Sequence, residues 1–213
     1  MIFQFKQFSV KQAQSAMKIG TDSVLLGAGT PLEQPQSILD IGAGTGLLAL
    51  MLAQRCDALT IDAVEIDEHA YIECTENFEA SPWGDRLFCY HASFEEFFTE
   101  MDEPYDLIIS NPPFYPTDYK TPEKARNTAR FSDALPPEQL LEGVNRLLAV
   151  EGKFSVILPY TESESFITLA ATFGLFPQQI THTRGNAKSE LKRSMMLFAR
   201  TPQPSYPIDI LTI

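Results

Sequence analysis

The apolar residues of this chain fall into two alternating patterns. Short, nearly continuous apolar runs indicate buried strands, and most are followed by segments with apolar residues at helical spacing. This alternation predicts an α/β fold with a largely parallel sheet covered by helices on both faces. The predicted strands are 37–41, 60–65, 86–91, 105–110 and 153–158, and the predicted helices are 47–54, 68–78, 94–98, 136–149 and 163–173.

The two ends of the chain depart from that alternation. Residues 175–183 and 193–200 read as two consecutive strands, so we expect at least one antiparallel edge strand. Residues 1–30 form an N-terminal extension, which we expect to pack near a cofactor or substrate site. A chain of 213 residues is long enough to build one full-sized core, so the length predicts a single domain over residues 1–213.

The predicted strand at 105–110 ends at Asn111-Pro112-Pro113-Phe114. The prolines donate no backbone N–H and fix φ, which stiffens the turn and leaves its carbonyl oxygens free to accept. Asn111 adds a side-chain carbonyl, and Phe114 adds a flat apolar face. Two acceptors and one ring, held rigidly, can grip an exocyclic amino group on a planar base. Taken alone, the same residues would indicate only a proline turn after a core strand.

A glycine turn follows the first of the long apolar runs. Asp40 is followed by Gly42, Gly44 and Gly46 in strict alternation, unlike the G-x-G-x-x-G spacing of dinucleotide-binding dehydrogenases. The glycines allow the backbone to approach a ligand closely, and the predicted helix that follows presents its N–H groups. Asp40 adds negative potential. The pattern therefore suits a cofactor that has a cationic centre and no pyrophosphate.

An acidic residue ends the next predicted strand. Glu65 lies 19 residues after Gly46. In this type of fold an acid about 20 residues after the glycine turn meets the ribose hydroxyls of a cofactor, and a carboxylate can accept from both of them. Asp67 is a weaker candidate for the same role.

Charge is distributed unevenly along the chain. The net charge is −12, and residues 31–119 hold 18 acidic residues but only two basic ones. The whole surface is therefore not basic, yet a local positive cluster can still guide a phosphate backbone. Taken alone, each cluster indicates a solvated surface. One cluster contains Lys120, Lys124, Arg126 and Arg130, and the other contains Arg184, Lys188, Lys192 and Arg193.

Several other functional patterns are missing from the sequence. The three cysteines and three histidines have neither disulfide-framework nor metal-ligand spacing, so no metal is expected. No apolar run approaches the ~20 residues needed to cross a bilayer. The first residues lack the charged leader and apolar core of a signal peptide. We therefore expect a cytoplasmic protein without membrane association.

Taken together, these features resemble the class I S-adenosylmethionine-dependent methyltransferases. Residues 40–46 match the first motif of that family, Glu65 matches its ribose-binding acid, and residues 111–114 match its [DNS]-P-P-[YFW] motif for methylating amino groups conjugated to a planar system. The resemblance implies a Rossmann-like fold with a mostly parallel seven-stranded sheet, and S-adenosylmethionine as the cofactor. The match fails where the family often has an acid that holds the cofactor adenine. Ser93 stands near that position and can hydrogen-bond, but it supplies no charge.

A closer resemblance is to the bacterial valine-tRNA adenine-N6 methyltransferases, which modify the adenine immediately 3′ of the anticodon. It covers the first 115 residues well and the remainder thinly. It implies methyl transfer to the N6 amino group of that adenine, with the anticodon loop of valine tRNA as the partner and a monomeric enzyme. The matching segments are 5–8, 16–22, 25–28, 40–55, 81–83 and 106–114.

The resemblance also implies which residues form the site. Asn111, Pro112 and Phe114 would be catalytic. The RNA-binding residues would be Tyr115, Lys120, Arg126, Arg130 and Arg193. The cofactor-binding residues would be Thr21, Asp22, Asp40, Gly42, Gly44, Gly46, Glu65 and Ser93. For Thr21 and Asp22 the residue pattern alone predicts a second role, as caps of the helix that starts there.

The proline motif leaves other acceptors open. A protein-glutamine N5-methyltransferase of translation factors would share it, but such enzymes generally carry a helical N-terminal domain and residues 1–30 are too short for one. A DNA adenine-N6 methyltransferase would also share it, but no target-recognition segment is visible. The remaining alternative is a non-catalytic cofactor-binding module, and the intact motif at 111–114 argues against it.

Overall fold

The computed structural model describes residues 1–13, 15, 18–113 and 135–213. Within these residues a short antiparallel hairpin precedes one large sheet. The hairpin consists of β1 (Ile2–Gln4) and β2 (Ser9–Lys11). The strands of the large sheet are β3 (Ser37–Ile41), β4 (Thr60–Glu65), β5 (Leu87–His91), β6 (Tyr105–Ser110), β7 (Leu148–Pro159), β8 (Phe176–Arg184), β9 (Arg193–Ala199) and β10 (Ile208–Thr212).

Six α-helices lie in the described part of the chain, and a 3₁₀ turn at Tyr160–Glu162 precedes the last of them. None of the helices in these residues is both long and apolar enough to span a membrane. The helices are α1 (Thr21–Gly29), α2 (Leu47–Arg55), α3 (Glu68–Glu79), α4 (Phe94–Glu100), α5 (Pro137–Leu147) and α6 (Ser163–Thr172).

The large sheet has a packed core on each face, because successive side chains of a strand point to opposite sides. On one face Leu39 and Ile41 of β3 pack in a cluster with residues of α4, α5 and α6. On the other face Ile38 packs in a cluster with residues of α1, α2 and α3. The largest fully buried side chains are Phe154 and Phe198 of β7 and β9. The predicted α/β fold with helices on both faces is confirmed.

The strand order corrects two details of the prediction. The order is β10-β8-β9-β7-β6-β3-β4-β5, so the described sheet has eight strands rather than seven. The antiparallel strand β9 lies between β7 and β8, and the edge strand β10 is parallel to β8. The prediction missed β10 because its five residues are all exposed and follow a proline-rich segment, so it lacks the apolar run of a buried strand.

The helix predicted at 136–149 is also shorter than expected. It ends at Leu147, and β7 begins at the next residue. The guanidinium of Arg200 donates to the backbone carbonyls of Asn145 and Leu148, which satisfies carbonyl groups at the helix end. Gly152 lies inside β7 rather than at the end of the helix. A side chain at Gly152 would meet the Tyr105 carbonyl oxygen at 2.9 Å, so packing against β6 explains this glycine.

Three parallel strands align the ends that carry the motifs. In β3 and β4, Ile41 pairs with Val64, and in β3 and β6, Ile41 pairs with Ser110. The glycine turn, Glu65 and Asn111 therefore leave the sheet at the same edge. Ligands of open α/β sheets bind at the carboxyl ends of the strands, so this edge is where a site is expected.

The N-terminal segment packs against α3 beside the glycine turn. The Asn77 side chain donates to the carbonyls of Lys11 and Thr45, and it accepts from the Lys11 N–H at 2.7 Å. The buried Glu73 carboxylate accepts from the N–H groups of Ala13 and Ser15. One helix thus ties β2 and the residues after it to the turn that follows β3.

A glycine inside α5 gives a test of this packing. A Cβ at Gly143 would meet ring atoms of Phe94 at 2.3 Å and of Phe98 at 2.5 Å, and both rings are buried. We expect Gly143→Ala to lower the free energy of unfolding by about 1–3 kcal/mol, because overpacking outweighs the gain in helix propensity. Chemical denaturation measures this. Gly185→Ala, where no atom lies within 4 Å, is the matched control. Equal stability of the two variants would contradict the packing.

Candidate active site

The glycine turn after β3 is open toward solvent on one side. Its three glycines have positive φ values, which residues with a side chain rarely adopt: 69° at Gly42, 56° at Gly44 and 78° at Gly46. A Cβ at Gly42 or Gly44 would meet no atom within 4 Å, so the turn leaves room for a ligand to touch its backbone. Gly46 is the N-cap of α2, whose first N–H groups face the same edge.

Glu65 shapes that turn. One carboxylate oxygen accepts from the Gly44 N–H at 2.7 Å, and the other accepts from the Asp67 N–H at 2.8 Å, although the side chain is only 8 % exposed. Each oxygen keeps a second lone pair for another donor. The predicted ribose contact of Glu65 stays a prediction. Asp67 caps α3 by accepting from the Ala70 N–H, which gives it a structural role of its own.

Asp40 is fully buried directly below the turn. Its Oδ2 accepts from the Ala49 N–H at 3.1 Å in α2. Its Oδ1 is buried and has no hydrogen-bond partner, and no other side-chain atom of the described residues shares that condition. Burial, with a smaller contribution from the Glu65 carboxylate, raises the pKa of Asp40 from 3.8 to about 7. A cation placed beside Oδ1 would stabilise the charged form.

The side chain of Asn111 is oriented by a residue that the sequence reasoning missed. Its Nδ2 donates to the Ser23 hydroxyl at 2.8 Å, so the amide oxygen is left as an acceptor. Ser23 lies in the first turn of α1, 88 residues away along the chain. Pro112 is buried and Pro113 is exposed. In the sequence, the one indication of this role is that Ser23 stands beside Thr21 and Asp22, the two residues predicted to bind the cofactor.

A cavity of about 580 Å³ lies in front of Asn111. It joins the first turn of α1, the proline turn, the 3₁₀ turn after β7 and the start of β9. A volume of this size is typical of a small-molecule or single-base site. Residues that line it include Lys18, Thr21, Asp22, Ser23, Asn111, Pro112 and Arg193.

Two of the predicted residues in this cavity form an ion pair. The Arg193 Nε donates to the Asp22 Oδ2 at 2.7 Å, and both side chains are about one-third exposed. The prediction that Thr21 or Asp22 caps α1 is wrong, because Gly20 is the N-cap and no side chain caps the helix. The predicted cofactor role of Thr21 and Asp22 and the predicted RNA role of Arg193 stay predictions.

Ser93 lies at the N-terminus of α4 and caps it. Its hydroxyl accepts from the Glu96 N–H at 3.2 Å, and the Glu96 carboxylate accepts from the Ser93 N–H at 3.0 Å. The Ser93 hydroxyl also donates to the Glu96 carboxylate at 2.7 Å, and this hydrogen bond, followed by the one from the Ser93 N–H, lowers the pKa of Glu96. The predicted contact of Ser93 with the cofactor adenine stays a prediction. Five other predicted site residues lie outside the described part of the chain: Phe114, Tyr115, Lys120, Arg126 and Arg130.

Comparison with known proteins identifies the family. The sequence of residues 9–174 matches the protein family described as the methyltransferase small domain. A tRNA1(Val) (adenine(37)-N6)-methyltransferase of Flavobacterium psychrophilum is 58 % identical over 100 % of this chain and 91 % of its own length. One from Bacteroides fragilis is 45 % identical over 99 % of this chain and 89 % of its own length. The chain belongs to this family.

Solved structures agree on the fold. A predicted O-methyltransferase from Agrobacterium tumefaciens superimposes with a TM-score of 0.67 at 16 % identity, covering 91 % of this chain and 87 % of that one. A methyltransferase from Pyrococcus furiosus gives a TM-score of 0.64 at 18 % identity, covering 91 % and 89 %. The Rossmann-like methyltransferase fold is therefore shared across sequences that have diverged widely.

The methyl donor of the family, S-adenosylmethionine, fits the residues at this edge. The unpartnered Asp40 Oδ1 is a buried acceptor suited to a cationic donor. The open backbone at Gly42 and Gly44 admits a ligand without a side chain in the way. Glu65 keeps lone pairs for hydroxyl groups. The cofactor prediction is confirmed, while the individual contacts remain predictions.

The buried Asp40 gives the donor-free protein a pH-dependent stability. Between about pH 4 and about pH 7 the folded chain holds a proton there that the unfolded chain has lost, so this group makes the fold less stable as pH rises through that window. Each unit of pKa shift corresponds to about 1.4 kcal/mol. We expect Asp40→Asn to gain stability relative to the unchanged protein between about pH 5 and about pH 8, measured by thermal unfolding without donor.

The exposed Asp209→Asn is the matched control, and its stability difference from the unchanged protein should stay constant over the same range. Calorimetry should show at the same time that Asp40→Asn binds S-adenosylmethionine more weakly. A stability difference for Asp40→Asn that does not vary with pH would contradict the proposed burial of a protonated carboxyl.

Proposed function

We propose that Asn111, Pro112 and Phe114 carry out methyl transfer from S-adenosylmethionine to the N6 amino group of the adenine immediately 3′ of the anticodon in valine tRNA. The activity is that of the relatives, which are named tRNA1(Val) (adenine(37)-N6)-methyltransferases. The observation that carries the residue assignment is the Asn111–Ser23 hydrogen bond of 2.8 Å. It leaves the amide oxygen available beside the cavity and close to the stiff proline turn.

The chemistry explains why an amide oxygen is needed there. The amino lone pair of adenine is delocalised into the ring, so the nitrogen is a poor nucleophile. If the Asn111 Oδ1 and the Pro112 carbonyl accept its two hydrogens, the nitrogen becomes more pyramidal and its lone pair becomes available. Methylation makes the nitrogen acidic, so its proton is lost without a strong general base. The residues therefore act mainly by positioning, an effect that can reach ~7–11 kcal/mol in well-oriented reactions.

The donor side of the site supplies the electrophile. When bound, S-adenosylmethionine provides a methyl group activated by a sulfonium. Asp40 would hold the cationic part of the donor, Glu65 would accept from the ribose hydroxyls, and the backbone at Gly42, Gly44 and Gly46 would allow close approach. These residues and Asn111 lie at or just after the carboxyl ends of adjacent parallel strands, which supports their action on one reacting pair.

The target base must leave its stack to reach this cavity. Anticodon-loop bases splay out at low cost. An aromatic side chain can then stack on the unstacked base, which contributes ~1–3 kcal/mol of binding free energy per base. We assign that role to Phe114 with Tyr115 beside it. Lys120, Arg126, Arg130 and Arg193 would hold the flanking phosphates. The enzyme as proposed acts as a monomer and uses neither a metal ion nor a covalent intermediate.

A labelling experiment tests the proposed substrate. Purified protein is incubated with S-adenosylmethionine labelled in the methyl group and with total tRNA, release factors or DNA in separate reactions. We expect label in tRNA alone, recovered as N6-methyladenine next to the anticodon of valine tRNA. Label in release factors would support a glutamine methyltransferase, and label in DNA would support a DNA adenine methyltransferase. Either result would refute the proposed substrate.

Substitution of Asn111 tests the residue assignment. Asn111→Ala removes the side-chain acceptor, so we expect turnover of tRNA to fall by about 100-fold or more, since misplacement of a reacting group by about 1 Å can cost that much. Binding of S-adenosylmethionine measured by calorimetry should stay near normal. Asn111→Asp keeps an acceptor that Ser23 can donate to, so it should retain partial turnover. Normal turnover by Asn111→Ala would exclude the role assigned to Asn111.

A further inference from the structure

A partly exposed aromatic pair lies beside residues that line the cavity, and it has no role in the chemistry above. Tyr160 is the first residue of the 3₁₀ turn after β7, and its side chain is 40 % exposed. Its ring meets the ring of His182 at a centroid distance of 4.9 Å and an angle of 87°. The neighbours Pro159 and Thr161 both line the cavity that contains Asn111. The pair therefore adjoins the place where the target base is proposed to sit.

Three strands hold this pair in a fixed position. The Nδ1 of His182 in β8 is hydrogen-bonded to the Ser194 hydroxyl at 2.8 Å, and Ser194 in β9 is fully buried. The Tyr160 N–H donates to the Lys192 carbonyl at 3.0 Å. Partial burial lowers the pKa of His182, which favours the neutral ring. A neutral, rigid pair of rings loses little conformational freedom when a flat group stacks on it.

Basic residues are concentrated next to the pair along the chain, although the chain as a whole carries a net charge of −12. Residues 184–193 comprise the end of β8, the connection and the start of β9, and they hold a single acid, Glu190, against four basic residues: Arg184, Lys188, Lys192 and Arg193. Lys188 and Lys192 are exposed. Glu162 also lines the cavity, and burial raises the pKa of its carboxyl.

Aromatic rings beside cations are typical of sites that bind single-stranded nucleic acid. The rings stack on the flat faces of the bases, and the cations contact the phosphates between them. A protein partner offers no base to stack on the rings, and a regular duplex offers no unstacked base. The platform formed by Tyr160 and His182 thus fits one unpaired nucleotide with its phosphates.

We propose that the Tyr160–His182 platform stacks against an unpaired base next to the methylated adenine, while Arg184, Lys188 and Lys192 contact the phosphates of that strand. This inference rests on the proposed RNA substrate and adds a second base contact to it. The platform selects for an open loop, because a base inside a duplex cannot reach it.

Substitution of Tyr160 tests the platform in the full-length protein with an anticodon stem-loop of valine tRNA. We expect Tyr160→Ala to weaken RNA binding and raise KM by about 5- to 100-fold, the loss of one stacked base, with kcat at saturating RNA within about two-fold. Tyr160→Phe keeps the ring and should behave like the unchanged protein. Binding of S-adenosylmethionine should not change in either variant.

The matched control is Tyr90→Ala, because Tyr90 is 38 % exposed on β5 at the opposite edge of the sheet. RNA binding by Tyr160→Ala equal to that of Tyr90→Ala would overturn the platform. If the unchanged protein methylated other RNA or protein but not this stem-loop, the proposed function would be wrong, and the platform with it.

A measurement on the unchanged protein avoids any dependence on variant folding. A stem-loop carrying a photoreactive uridine in the loop is irradiated in the complex, and the cross-linked peptide is identified by mass spectrometry. We expect the peptide that contains Tyr160 or the one that contains His182. Cross-links confined to other parts of the chain would overturn the inference.

Discussion

The hydrogen bond between the Gly44 N–H and the Glu65 carboxylate, at 2.7 Å, joins the ends of two parallel strands and fixes the turn on which the site is built. It exists because β3 and β4 pair in a register that brings both ends to one edge. The same turn covers Asp40, and burial raises the pKa of its carboxyl to about 7. Two acidic groups are thus enclosed at one point without a cation among their described contacts, which is an arrangement suited to a positively charged donor.

The first turn of α1 connects this donor side with the acceptor side. Ser23 orients the Asn111 amide, and its neighbour Asp22 pairs with Arg193 at the start of β9. The connection that precedes Arg193 carries Lys188 and Lys192, and the Lys192 carbonyl accepts from the Tyr160 N–H. One helical turn therefore contacts both Asn111 and β9. Ser194 of β9 is in turn hydrogen-bonded to His182 of the proposed RNA-binding platform. We infer that RNA contacts and the orientation of Asn111 depend on the same few residues.

The sequence predicted most of the strands and helices, and it placed the glycine turn, Glu65 and Asn111 at the carboxyl ends of β3, β4 and β6. Those features are local, since an apolar run followed by a glycine or proline turn has a characteristic pattern. The Ser23–Asn111 and Asp22–Arg193 contacts join residues 88 and 171 positions apart, and no local pattern encodes such pairs. The exposed strand β10 was missed for a related reason, because only its pairing with β8 makes it a strand.

The central claim is that one edge of the sheet brings the methyl donor and Asn111 together. A crystal structure of the protein with S-adenosylhomocysteine tests this most directly, because the ligand keeps every part of the donor except the transferred methyl group. The account predicts that its sulfur faces the Asn111 amide oxygen and that its amino acid part lies beside Asp40. A sulfur that faces away from Asn111, or a ligand bound away from the glycine turn, would contradict the account.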